Sequence, residues 1–168
     1  MPRPSPSSPR PPPHRVVCLA FPGVMSLDVL GPLQVFATAN DLRRKHGQAP
    51  RYRVEVAGPQ AGVVLTSAGI GLMATRAWAA VRGGADCTVL VPGGDGIDAA
   101  VRETPLLAVL QRLAPRVGRL GSVCSGALAL GQAGAARRGA GDHALVARRA
   151  TAPVRAARHP RRRPAAHL

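Results

Sequence analysis

Four short strand-like runs, Val16 to Phe21, Arg51 to Val56, Thr88 to Val91 and Leu120 to Val123, are separated by stretches of helical spacing. That alternation most limits what the chain can become. Brief apolar runs fit strands covered on both faces, as in a parallel sheet. Between the first two, Leu27, Leu30, Leu33, Phe36 and Ala37 recur every three or four residues and lead to the basic Arg43 to Lys45. Gly47 and Pro50 then stop the helix this predicts. Val63 to Thr66 and Ile70 to Met73 predict a strand pair around Ser67 to Gly69. Ile97 to Leu113 carries a second helical pattern, with Pro105 placed to start the longer helix inside it. A small-residue helix is expected over Gly126 to Ala133. Strands alternating with helices imply the α/β class, a doubly wound and mostly parallel sheet with helices on both faces.

The two ends do not share this pattern. Seven of the first 13 residues are proline, so residues 1–14 read as a disordered Pro/Ser/Arg-rich arm. Residues 15–134 read as one domain; residues 1–134 carry fourteen basic against seven acidic residues, whereas residues 135–168 carry nine against one. A fifth of the chain therefore holds half of the net charge of +15, together with eleven alanines, and reads as a disordered basic tail. Only Phe21, Phe36, Tyr52 and Trp78 are aromatic, which argues against readers that stack nucleic-acid bases. Cys18, Cys87 and Cys124 form an odd set without metal-ligand spacing, which argues against a disulfide scaffold or a metal site and for a reducing, cytoplasmic setting. Arg10, Arg15 and the run to Phe21 mimic a secretory signal, but Pro22 and Gly23 interrupt it and no small-residue cleavage site follows. No apolar run reaches the length of a membrane span.

Three segments could carry chemistry. In Gly121-Ser122-Val123-Cys124-Ser125-Gly126 a cysteine stands where a buried strand turns into a helix, the arrangement of a nucleophile elbow. The helix start would favour thiolate at Cys124. Val91-Pro92-Gly93-Gly94-Asp95-Gly96 ends the preceding strand, and its glycines could aim backbone N–H groups at a bound carbonyl or oxyanion. Asp28, in Leu27-Asp28-Val29-Leu30-Gly31-Pro32, has two readings. It caps a helix, or it lies beside Cys124, keeps its proton and donates to the thiolate. Cys18 and Cys87 read as core residues.

Phe21-Pro22-Gly23-Val24, Leu27 to Leu33, Val91 to Gly94 and Ser122 to Ala127 occur in an order that resembles the ThiJ/PfpI family, within the class I glutamine amidotransferase-like superfamily. More narrowly they resemble the GlxA-like branch of AraC-type transcriptional regulators. The resemblance covers about residues 15 to 134. It implies a flavodoxin-like sandwich, an elbow cysteine at Cys124, an acid facing it at Asp28, a small-ligand pocket involving Gly93, Gly94 and Ser125, no cofactor, and frequent homodimers. The family continues with a Thr-Thr-His-Trp segment whose histidine lies near the cysteine. Here Gly141 to Arg148 stands in that place, and codons for this octapeptide read one base later permit Ala-Thr-Thr-His-Trp-Ser-Leu. A frameshift between about Gly134 and Arg138 is therefore expected, and His143 does not inherit the family role.

Three functions compete on this reading. The first is a ligand-sensing domain of a GlxA-like regulator, lacking its helix-turn-helix domain and so without sequence-specific DNA binding. The second is a cysteine-dependent hydratase or glyoxalase-like enzyme using Cys124 and Asp28. In the third, the arginine tail, with Arg161 to Arg163, binds anionic surfaces without sequence choice.

Overall fold

The computed structural model describes residues 12–102 and 104–135. The disorder expected of the arm and the tail falls almost wholly outside those residues. Strand β1 (His14–Leu19) leads through Gly23 into helix α1 (Ser26–Lys45). Next come β2 (Tyr52–Gly58), the hairpin β3 (Gly62–Leu65) and β4 (Gly71–Ala74), and the two-residue β5 (Arg76–Ala77). A 3-10 turn at Trp78–Ala80 precedes β6 (Gly84–Val91), α2 (Ile97–Arg102) and α3 (Thr104–Leu113). Finally β7 (Val117–Ser122) runs into a 3-10 turn at Cys124–Gly126 and α4 (Ala127–Gln132).

The main sheet has the order β5-β2-β1-β6-β7, and every pairing in it is parallel. From β1 the chain steps outward to β2, then returns to β6 on the other side of β1. With right-handed crossovers, the helix after β1 and the helices after β6 must cover opposite faces. Burial agrees, since Val16, Val17, Cys18 and Leu19 are all fully buried although consecutive residues point to opposite faces. Between the carboxyl ends of β1 and β6 lies the point where the winding reverses, the usual place for a ligand crevice.

The expected elements are present, with differences at their ends. Strand β1 includes His14, one residue ahead of the expected domain start, because its imidazole Nε2 is 2.8 Å from Thr88 Oγ1 in a buried contact. Strands β6 and β7 begin earlier than their apolar runs, since polar and small residues there pair through backbone alone. Helix α1 is tied to β2 by buried Asn40, whose Nδ2 donates to Tyr52 O at 2.7 Å and whose Oδ1 accepts from the amides of Arg51 and Tyr52. Buried Glu55 on β2 pairs with Arg53 and Arg76, each at 3.0 Å. Among the described residues no helix is long and apolar enough to cross a membrane.

Candidate functional site

The reversal of winding gathers the three candidate segments at one end of the sheet. Asp28 lies in the first turn of α1 just after β1, Gly93 and Gly94 follow β6, and Cys124 follows β7. Cys124 has φ +53°, and it is the one non-glycine residue with positive φ among the described residues. A side chain in that region costs on the order of 1–3 kcal/mol, which the surrounding packing must supply. Here Gly126 supplies it by close approach, since a Cβ there would stand 2.1 Å from Val91 O. The tight turn leaves the Cys124 thiol exposed.

Asp28 does not cap its helix by a side-chain hydrogen bond. Its Oδ2 instead accepts from the Gly93 N–H at 3.0 Å, a bond spanning 65 residues of sequence. This contact ties the start of α1 to the loop after β6. Among the described residues no hydrogen bond joins Asp28 to Cys124. Pro32 lies inside α1 and so brings no N–H to the carbonyl of Asp28 four residues before it.

Gly93 and Gly94 both make contacts within the chain. The Gly94 N–H donates to Ser125 Oγ at 3.3 Å, so both amides expected to face a ligand carbonyl are bonded within the chain. Gly94 needs to be glycine because its φ is +139° and a Cβ would stand 2.3 Å from Met25 N. The space over Gly93 brings the parts together, as a Cβ there would lie 2.6 Å from Ser125 Oγ and 3.0 Å from Asp28 Oδ2. Ser125 thereby links the elbow to the loop after β6.

The other two cysteines are core residues, as expected. Cys18 is fully buried, and burial, followed by the Asp28 charge, pushes its thiol up to about 12. Burial also raises Cys87. Neither histidine in the described residues, His14 or His46, lies in the three segments that meet here, and His143 falls outside the described residues. No group of three or more His, Cys, Asp or Glu placed to hold a metal occurs among the described residues.

Sequence reading missed Trp78. Its indole N–H donates to Ala20 O, just past β1, and to Ala57 O, near the end of β2, both at 3.1 Å. Nothing in the spacing around Trp78 signals this.

Comparison with known proteins bears on the site as a whole. Residues 14–149 match the DJ-1/PfpI family. An uncharacterized protein in the cpoL 5' region of Streptomyces lividans is 37% identical over 122 residues, 73% of this chain and 81% of that protein. Isonitrile hydratase of Pseudomonas putida is 31% identical over 120 residues, 69% of this chain and 46% of that enzyme. Among solved structures, a ThiJ/PfpI family protein from Pseudomonas syringae superposes with TM-score 0.60 at 26% identity, covering 80% of this chain and 53% of the other. An AraC family transcriptional regulator from Pseudomonas putida gives TM-score 0.53 at 25% identity, covering 73% and 62%. The chain thus spans about half to three-fifths of these two structures.

Proposed function

The chain belongs to the DJ-1/PfpI family, and from that premise we propose that it is a ligand-sensing domain of a GlxA-like transcriptional regulator. One observation carries the reading: the Gly93 and Gly94 amides are closed by Asp28 and Ser125. A catalytic site gains from donors already aimed at the reacting atom. Here the two amides instead brace the loop, and Asp28 is engaged as an acceptor, which suits binding a small molecule over turning one over. The AraC family regulator among its structural relatives supports the same reading. We place the protein in the cytoplasm, where its three free thiols would stay reduced.

A homodimer belongs to this proposal. Leu27, Leu30 and Val54 are exposed around an apolar groove of about 540 Å³ on α1 and β2. Val63, Leu65, Ile70 and Met73 are exposed on the hairpin, which is bonded to the start of α1 through Gly23 N to Leu65 O and Ser67 N to Val24 O. Leu27→Lys should move a dimeric sample to the monomer position on size exclusion. An unchanged dimer would remove this surface from the proposal.

The enzyme reading keeps one favourable observation, the left-handed and exposed Cys124, together with the isonitrile hydratase relative. In that reading Asp28 keeps its proton and donates a hydrogen bond to the Cys124 thiolate, which adds to the substrate carbon. Assaying isonitrile hydration to the formamide, and glyoxal turnover, decides between the two. We expect negligible isonitrile hydration and at most weak glyoxal turnover; robust turnover lost in Cys124→Ser would replace the sensor reading. Resequencing codons 130 to 145 tests the proposed frameshift.

A further inference from the structure

Beside the entries to β6 and β7, a cavity of about 550 Å³ is lined by Ala79, Ala80, Arg82, Gly83, Arg112 and Arg116. Three guanidinium groups share it with small side chains, and no carboxylate lines it. The backbone that builds it is closely packed. A Cβ on Gly83 would stand 2.6 Å from Arg116 Cβ and 2.7 Å from Arg116 O, so the entry to β6 lies directly against the entry to β7. Arg112, in the last turn of α3, is fixed from the other side: Nη1 donates to Val81 O at 2.8 Å and Nη2 to Trp78 O at 3.2 Å.

Arg82 and Arg116 are exposed. The ion pairs among the described residues engage His14, Arg44, Arg53 and Arg76, and none engages the three arginines of the cleft. Like charges gathered in one concavity repel, and an anion seated between them relieves that repulsion while accepting charge-assisted hydrogen bonds. Guanidinium forks match the paired oxygens of a phosphate, and a concave wall of small side chains leaves room for an attached organic body.

We propose that the cleft between the Trp78–Ala80 turn and the start of β7 is an anion site that takes a phosphorylated small molecule. Arg112 forms its fixed wall, and Arg82 and Arg116 close on the phosphate. The site is separate from the Cys124 crevice and does not depend on the sensor reading.

The test titrates the full chain with inorganic pyrophosphate, following the heat of binding. Saturable one-to-one binding is expected, weakened about tenfold or more in the Arg82→Gln/Arg116→Gln double variant. The Arg102→Gln/Arg119→Gln double variant removes equal charge elsewhere and should bind as the parent does. Ala80→Glu, which places a carboxylate at an exposed position in the cleft, should abolish binding without touching an arginine. Equal weakening in both double variants would reduce the effect to net charge and overturn the site. Unchanged binding in the cleft variant would assign pyrophosphate to the tail arginines, and tighter binding of duplex DNA lost with the same arginines would make the cleft a nucleic-acid surface; either result overturns the proposal.

Discussion

Strands β1 and β7 flank β6 on its two sides, yet they differ in almost every physical respect. Residues Val16 to Leu19 of β1 are fully out of solvent, whereas no residue of β7 falls in the buried class. Strand β1 has neighbours on both edges, while β7 ends the sheet order among the described residues. The difference teaches how load is divided. The centre of the sheet carries the stability, and the thin end presents the elbow cysteine, held in place by close backbone contacts at Gly126 and a strained φ.

The largest test of that division is a matched pair of truncations. Leu19→Ala removes a fully buried side chain and should cost about 2–5 kcal/mol. Leu120→Ala on β7 removes a half-buried one and should cost about 1 kcal/mol. Urea denaturation of both measures the contrast, and equal losses would break it.

Thiol reactivity sharpens the same contrast at the level of single atoms. Under native conditions at pH 8, Cys124 should alkylate about a hundredfold faster than Cys18, which is reached only by opening the centre of the sheet. Mass mapping of the label gives the order. Faster labelling of Cys18 or Cys87 would remove Cys124 from the elbow role.

Alkaline titration follows in size. The folded chain keeps the Cys18 thiol protonated up to about 12, whereas an unfolded thiol ionises near its ordinary value of 9.0. The unfolded state therefore loses its proton first, so this contribution is intact below pH 9 and declines between 9 and about 12. The decline is at most about 1.4 kcal/mol per pH unit. The stability difference between the parent and Cys18→Ala should shrink over that window, and a constant difference would contradict it.

The smallest effect concerns the link between the two regions. Asp28→Asn keeps an oxygen for the Gly93 N–H but removes the charge, and should cost about 1 kcal/mol in thermal denaturation. The same change should lower the Cys18 titration, because the Asp28 charge helps to hold it up. No movement of Cys18 would separate the carboxylate from the core of the sheet.

Much of the architecture was legible in residue spacing. The apolar repeat from Leu27 to Ala37, ended by Gly47 and Pro50, marks α1, and Ser67 to Gly69 marks the hairpin turn. Cys124 stood out because small residues surround it where a strand meets a helix, and its positive φ is the physical content of that pattern. Strand β5 was not legible, since two residues carry no periodicity and Arg76 and Ala77 join the sheet only by pairing with Ala57 and Gly58. Nor was the state of the glycine amides: the composition of Gly93-Gly94 permits free donors, but a carboxylate 65 residues earlier and a hydroxyl 31 residues later take them.

By itself, then, the sequence determined which segments are strands, helices and turns, because periodicity, caps and breakers act within a few residues. Tertiary structure alone decided which polar groups meet. Asp28 accepts from Gly93 because the winding of the sheet reverses between β1 and β6 and brings the loops after them together, and Arg82, Arg112 and Arg116 share one cleft because β6 and β7 enter the sheet side by side. Such partners are set by strand order and register, and no local pattern encodes them.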